Sequence, residues 1–151
     1  MTTNRKPEYL VSLIHELCKL PKEIEWVEFK ENKADPQEIG EYLSALANSA
    51  ALCGKAFAYL VWGIEDTSHQ IVGTIFSPSR TTVGNEELES WLLRLLSPRI
   101  HFRFFEITMD TYNVVLLEIA RAFRHPVQFQ NQEYIRVGSY KTMVRPKIRR
   151  R

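Results

Sequence analysis

The spacing of hydrophobic residues along the chain predicts three amphipathic helices. Apolar residues recur at helical spacing over residues 9–20, until a proline stops the pattern. A second helix is predicted over residues 35–51, because Asp35 is a good N-cap and Pro36 suits the first helical position. Residues 85–96 carry a third apolar stripe, which ends near another proline. Each helix offers one apolar face for packing.

Shorter apolar patterns between these helices predict strands. Residues 26–30 alternate between apolar and polar, which is typical of a half-buried strand. Residues 56–64 are almost continuously apolar, and such a run favours a central strand covered on both faces. Further strands are expected at residues 70–73, 101–108, 114–120, 127–130 and 133–137, the last four as two hairpins. The elements predict a single α+β (mixed α/β) domain, with a mixed β-sheet and two or three packed helices.

Composition is that of an ordinary globular protein. The chain has 151 residues, of which 44% are hydrophobic and 25% are charged, enough for one domain with one core. No apolar run approaches the roughly 20 residues that span a bilayer, and the basic N-terminus leads into an amphipathic segment rather than a signal peptide. We therefore expect a cytoplasmic protein with no membrane partner. Cys18 and Cys53 lie in apolar helical settings, which favours buried free thiols.

Positive charge is concentrated towards the C-terminal end. Residues 121–151 hold nine of the 20 Lys and Arg residues but one of the 18 acids, so the rest of the chain is acidic although the net charge is +2. A basic stretch on an acidic body is the pattern expected of a protein that binds a phosphate backbone. The candidate contacts with nucleic acid are Arg121, Arg124, Arg136 and Lys141. For the last seven residues, binding of a phosphate backbone is about as well supported as the alternative, which is a solubilising tail or the point where a longer protein continues.

Four segments of the chain resemble one family. Residues 23–30 read Glu-Ile-Glu-Trp-Val-Glu-Phe-Lys, residues 45–48 read Ala-Leu-Ala-Asn, and the apolar run over residues 60–66 ends in Glu-Asp. Residues 134–139 read Tyr-Ile-Arg-Val-Gly-Ser. These segments are similar to the E-S-x-x-x-E-F-K, A-F-A-N, G-V-x-D and Y-I-R-V-G-S signatures of the Schlafen AlbA_2 family, once called divergent AAA-4. The resemblance covers residues 23–140 and implies a Schlafen AlbA_2-like fold.

The resemblance also implies a set of functional acids. Glu23, Glu28 and Asp66 occupy the positions at which nuclease members of the family carry three metal-binding carboxylates. Mg²⁺ or Mn²⁺ prefers such oxygen ligands and would activate a water for phosphodiester cleavage. Lys30 lies two residues beyond Glu28 on the same strand face, where its ammonium could neutralise phosphate charge. Acids are abundant in this segment, and the alternative is that these three are solvated or paired for structural reasons.

The older family name raises the question of ATP binding. A P-loop requires Gly-x-x-x-x-Gly-Lys followed by Ser or Thr, whereas Gly54 and Lys55 are followed by Ala56 and preceded five residues earlier by Ser49. No ATP site is therefore expected. The four histidines are scattered without zinc-ligand spacing, so we interpret them as surface or hairpin residues.

Three functions remain open from the sequence. The resemblance favours a nucleic-acid-binding module, for DNA or RNA, in a bacterial transcriptional regulator or RecG-related helicase-like protein. The alternatives are a metal-dependent endonuclease and a protein-interaction or oligomerisation domain. Residues 1–22 would form an N-terminal helix, residues 23–140 the family domain, and residues 141–151 a basic tail or truncated linker. The family pattern further implies a missing C-terminal domain and leaves a homodimer open.

Overall fold

Three helices form in the computed structural model, which describes residues 6–21, 24–137 and 140–143, the last segment by its backbone. They are α1 (Pro7–Cys18), α2 (Pro36–Leu52) and α3 (Leu88–Leu95), with a short 3-10 turn at Pro78–Arg80. The start of α2 follows the prediction, because the Asp35 carboxylate accepts a hydrogen bond from the amide of Glu38 at 3.3 Å. In the described segments, none of these helices is long and apolar enough to cross a membrane.

Ten strands form in the same described segments. In chain order they are β1 (Val27–Lys30), β2 (Phe57–Trp62), β3 (Thr82–Val83), β4 (Glu86–Glu87), β5 (Leu96–Ser97), β6 (Phe102–Met109), β7 (Tyr112–Ala120), β8 (Gln128–Phe129), β9 (Gln132–Val137) and β10 (Tyr140–Met143). The main sheet has the order β1-β2-β7-β6, and only its β1–β2 pair is parallel. A second, antiparallel sheet has the order β10-β9-β8-β5, and β3 pairs with β4 as a ribbon. The mixed sheet and the packed helices confirm the α+β prediction.

The main sheet is covered on both faces, as the apolar run of β2 predicted. On one face, α1 packs Leu10 and Ile14 into a core that includes Val61 of β2. On the other face, α2 packs Leu46 into a core that includes Leu60 of the same strand. Because successive side chains of a strand point to opposite faces, β2 contributes to both cores. Full burial of each such side chain contributes about 1.5–3 kcal/mol to stability.

Helix α2 lies between the two sheets, which explains why polar residues on it are buried. Ser44 and Asn48 are one helical turn apart and face the second sheet. The Ser44 hydroxyl donates to the carbonyl of Val127 at 2.7 Å, and the Asn48 amide donates to the carbonyls of Val127 and Tyr134 at 3.0 and 2.8 Å. These bonds satisfy a backbone carbonyl within the second sheet, at Tyr134, and one just before it, at Val127. The sequence predicted the hairpin at residues 127–137 but not that it forms a separate layer.

The prediction of a strand at residues 70–73 is wrong. Its one ladder contact in the described chain is an isolated bridge between Ile71 and Ile64. The amides of the next two residues both bond to the carbonyl of Gly63, at 2.8 and 2.9 Å. The chain therefore turns at this point instead of extending a sheet.

Two further expectations are corrected by the structure. The third helix begins at Leu88 rather than at residue 85, because residues 82–87 first form the β3–β4 ribbon around Gly84, whose φ is 62°. Cys53 is exposed rather than buried, because it caps the C-terminal end of α2 and lies beyond its packed faces. Cys18 is partly buried, and both thiols are free as predicted.

Candidate functional site

A cleft of about 160 Å³ lies at the outer edge of β1. β1 is an edge strand of the main sheet, so in the described chain no further strand covers that side. The residues that line the cleft include Glu28 from β1, Asp66 from the turn after β2 and Arg136 from β9. The structure thus brings together two of the acids that the sequence singled out, and adds an arginine from the second sheet.

The carboxylate of Glu28 is held by two cations. Arg136 donates from Nη2 to Oε1 at 2.8 Å, and Nζ of Lys30 lies 3.7 Å from Oε2. Burial is the largest influence on Glu28 and raises its pKa, whereas Arg136 and Lys30 lower it. The negative charge of Asp66 raises that pKa further, and a hydrogen bond from Tyr42 lowers it. Glu28 is therefore a desolvated carboxylate that is already partly neutralised.

Lys30 shares a strand face with Glu28, as the alternation of β1 predicted. Its ammonium also lies 3.8 Å from a carboxylate oxygen of Glu38 on α2 and 5.0 Å from the centre of the Tyr42 ring. The Lys30 side chain is 17% exposed, so these contacts are largely desolvated. A phosphate that approached Lys30 would compete with two carboxylates, and the electrostatic role of this lysine stays a prediction.

Arg136 joins the second sheet to the edge of the main sheet. Its Nη1 donates to the carbonyl of Val27 at 2.7 Å, beside the bond from Nη2 to Glu28. Its side chain is 1% exposed, and among the described residues its buried Nε has no hydrogen-bond partner. The charge pattern named Arg136 as a phosphate contact, whereas the structure places its guanidinium in a buried ion pair. Contact with nucleic acid stays a prediction for this residue.

Glu23, the remaining predicted metal ligand, lies outside the described residues, although its neighbour Ile24 lines the cleft. Across residues 6–21, 24–137 and 140–143, no group of three or more His, Cys, Asp or Glu side chains is arranged to hold a metal ion. Glu28 and Asp66 supply the oxygen donors that Mg²⁺ and Mn²⁺ prefer. Ligation of a metal by Glu23, Glu28 and Asp66 stays a prediction.

His69 also lines the cleft, and sequence reasoning missed it. Its backbone has a left-handed φ of 61°, its Nδ1 lies 2.9 Å from the carbonyl of Cys18, and its ring centre is 4.5 Å from that of Phe29. A histidine in a polar turn gives little sequence signal for such a position. Its place three residues after Asp66 was the one hint available.

The other predicted phosphate contacts lie elsewhere. Arg121 and Arg124 are exposed on the loop between β7 and β8. The amide of Arg121 bonds to the carbonyl of Ala56, just before β2, whereas Asp66 follows the end of β2. The loop and Asp66 therefore lie at opposite ends of that strand. Lys141 is part of β10, and its side chain is outside the described structure.

Comparison with known proteins gives one family and several similar structures, among them the two that follow. Residues 23–145 match the family model described as Schlafen, AlbA_2. No curated protein matches the chain. The DIP2311 protein from Corynebacterium diphtheriae has a similar structure, with a TM-score of 0.57 and 18% identity. The match covers 91% of this chain and 26% of DIP2311, so this chain spans about a quarter of that protein.

The second similar structure is the N-terminal domain of a RecG-related protein from Nitrosomonas europaea. Its TM-score is 0.54 and its identity 17%, over 79% of this chain and 78% of that domain. At such identities, both likenesses show the fold alone, because one fold hosts many functions.

Proposed function

We propose, from the premise that this chain belongs to the Schlafen AlbA_2 family, that it is a nucleic-acid-binding module. The observation that carries the proposal is the position of Arg121 and Arg124, two exposed arginines on one loop. Arginine binds phosphate oxygens through paired N–H donors, and such contacts supply most of the affinity for nucleic acid. The module would act within a longer bacterial protein, either a transcriptional regulator or a RecG-related helicase-like protein.

The backbone around these arginines supports the proposal. The amide of Arg121 donates to the carbonyl of Ala56 at 3.0 Å, and the amide of Ala122 donates to the carbonyl of Ala47 at 2.9 Å. The loop is thus tied to both the sheet and α2. A loop that is already ordered loses less conformational entropy when it binds a ligand.

A salt titration of binding tests the proposal. Fluorescently labelled single-stranded DNA, single-stranded RNA and duplex DNA are the probes, and affinity should fall steeply with salt as counterions are released. Arg121→Ala with Arg124→Ala should reduce the slope of log affinity against log salt by about 1.4 to 1.8. Arg80→Ala with Arg99→Ala is the matched control, because both residues are exposed and the net charge changes equally. Absence of binding, or equal loss in both double variants, would contradict the proposal and favour a protein-interaction domain.

A second candidate is a divalent-metal-dependent nuclease, and the cleft at β1 favours it. Glu28 and Asp66 both line this cleft, and Lys30 lies 3.7 Å from the Glu28 carboxylate. Glu23, Glu28 and Asp66 would hold the ion, which when bound would supply an activated water and stabilise the leaving oxygen of a phosphodiester. Lys30 would add positive charge beside the phosphate. Arg136 would have to share Glu28 with the ion.

Mn²⁺ titration calorimetry together with a cleavage assay tests this second candidate. Glu28→Gln and Asp66→Asn should each abolish Mn²⁺ binding and cleavage of labelled RNA or DNA, because each replaces an anionic ligand with a neutral amide. Glu31→Gln is the matched control, since Glu31 is exposed next to β1. If the wild-type protein binds nucleic acid but not Mn²⁺, the nuclease hypothesis is wrong and the binding module remains.

A further inference from the structure

The loop that carries Arg121 and Arg124 is fixed at both of its ends. Next to Arg121, the Ala122 side chain is buried and its amide bonds to the carbonyl of Ala47 on α2. At the far end, Val127 is fully buried and its amide donates to Oδ1 of Asn48 at 2.8 Å. The residues between these two anchors can reach solvent but cannot enter the core.

Phe123 is held at the surface of this loop. Its side chain is 68% exposed, although a phenylalanine is usually buried. Ala122 occupies the inward position before it, and Arg124 turns the chain with a left-handed φ of 69°. The amide of His125 then donates to the carbonyl of Phe123 at 2.7 Å, which closes a tight turn. The backbone therefore presents this aromatic ring to solvent.

Positive charge lies beside the exposed ring. The guanidinium carbon of Arg124 lies 5.3 Å from the centre of the Phe123 ring, and Arg121 is exposed two residues earlier. The loop sequence Arg-Ala-Phe-Arg-His-Pro contains no acid. Beside the loop is a cleft of about 230 Å³ that includes Leu52, which is 77% exposed. An exposed aromatic ring with one arginine on each side of it in the sequence is complementary to a base between two phosphates.

We infer that Phe123 stacks on an unpaired nucleobase while Arg121 and Arg124 bind the flanking phosphates. The inference rests on the proposed nucleic-acid-binding function and names single-stranded nucleic acid as the ligand of this loop. In a duplex the faces of the bases are covered by their neighbours, and only their edges are accessible. In a single strand each base has a free π-face, and stacking on an aromatic side chain adds affinity with little sequence preference.

Three labelled probes with matched backbones test the inference. They are oligothymidylate, an abasic oligonucleotide of the same length, and the duplex of oligothymidylate with oligoadenylate. Phe123→Ala and Phe123→Leu should weaken binding of oligothymidylate about 5-fold or more, because both remove the aromatic face. Phe123→Trp should retain it. Binding of the abasic probe should be unchanged in all three variants, since it offers phosphates without bases. Tyr112→Leu is the matched control, because Tyr112 is 43% exposed on a different hairpin.

The outcomes separate this inference from the proposed function. Thermal melting by circular dichroism establishes whether each variant is folded. If Phe123→Ala is unfolded, the comparison of Phe123→Leu with Phe123→Trp still tests the inference. The inference is overturned if Phe123→Leu binds oligothymidylate as the wild type does. It is also overturned if this variant loses as much affinity for the abasic or duplex probe as for oligothymidylate. In either case, salt-sensitive binding would still support the proposed function. Binding of none of the probes by the wild type overturns both. Quenching of tryptophan fluorescence by oligothymidylate in Phe123→Trp, beyond that in the wild type, supports direct stacking.

Discussion

Arg136 donates a hydrogen bond to Glu28 across 2.8 Å, although the two residues are 108 positions apart in the chain. The side chain of Arg136 is 1% exposed and that of Glu28 is 12% exposed. Opposite charges removed from water to this extent are tolerated only as a pair, because either one alone would be an uncompensated buried charge. The pair therefore ties the second sheet to the edge of the main sheet at the candidate cleft.

Replacing Arg136 with Met is expected to lower the free energy of unfolding by about 3–5 kcal/mol, because the Glu28 carboxylate is left buried without its main partner. Adding Glu28→Gln should recover part of that loss, since a neutral amide costs less to bury. Urea unfolding of the single and double variants measures the coupling free energy. Arg80→Met, at an exposed position, should change stability by less than about 0.5 kcal/mol. Additive effects at positions 28 and 136 would contradict the pairing.

Glu28 is expected to make stability depend on pH. Burial is the largest influence on its carboxyl and raises its pKa, so the folded protein holds this proton more tightly than the unfolded chain does. As the pH rises from the ordinary glutamate pKa through the raised pKa of Glu28, the folded state loses stability relative to the unfolded state. Glu28→Gln removes this titration. The unfolding free energy of the wild type minus that of Glu28→Gln should therefore fall across this window and then level off.

Urea unfolding at a series of pH values measures that difference. Glu31→Gln is the control, because it makes the same change of charge at an exposed position next to β1. A difference for Glu28→Gln that rises with pH would mean that the attraction of Arg136 and Lys30 outweighs burial, and would reverse the sign of the pKa shift.

Local patterns in the sequence were enough to predict the helices and the main strands. Asp35 and Pro36 define the start of α2 by capping chemistry that needs only neighbouring residues. The apolar run of β2 predicts a strand covered on both faces, and α1 and α2 do cover it. The second sheet could not be predicted as a layer, because Ser44 and Asn48 appear in the sequence only as polar helix residues. Their partner Val127 is 83 and 79 positions away.

The candidate site was predictable only in part, for the same reason. Glu28 and Asp66 line one cleft, because β1 pairs in parallel with β2 and Asp66 lies in the turn that follows β2. The pairing of Glu28 with Arg136 depends on where the second sheet packs. From the charge pattern alone, the buried Arg136 could not be distinguished from the exposed Arg121. Phe123 had no sequence signal, since its exposure follows from the anchoring of the loop and not from its own neighbours.

Gly40→Ala is expected to destabilise the fold, although alanine favours helices by about 1 kcal/mol. A Cβ at Gly40 would lie 2.1 Å from Cζ of Phe129, which is fully buried under α2. The net loss should be about 1–3 kcal/mol, because neither the helix nor the ring can move freely in a packed core. Urea unfolding measures it, with exposed Ser90→Ala in α3 as the control. Adding Phe129→Leu should restore part of the loss if the clash is its cause, and a further loss in that double variant would count against it.

Asn48→Ala is expected to cost at least about 2 kcal/mol and to loosen the loop that carries Arg121 and Arg124. The Asn48 side chain accepts from the amide of Val127 and donates to the carbonyls of Val127 and Tyr134, so its removal leaves three buried or partly buried backbone groups without this partner. Asn48→Asp should cost more, because a carboxylate oxygen would then face two carbonyl oxygens.

Urea unfolding measures the global loss in the Asn48 variants, and amide hydrogen exchange at Val127 measures the local one. Exposed Asn85→Ala is the control. Exchange at Val127 should accelerate more than exchange in β7, because the bond from its amide to Asn48 anchors the end of the loop. If the loop binds nucleic acid as proposed, Asn48→Ala should also weaken oligothymidylate binding under conditions in which the variant is fully folded, since the arginines would lose their fixed positions. Unchanged exchange at Val127 would show that the second sheet holds the loop without Asn48.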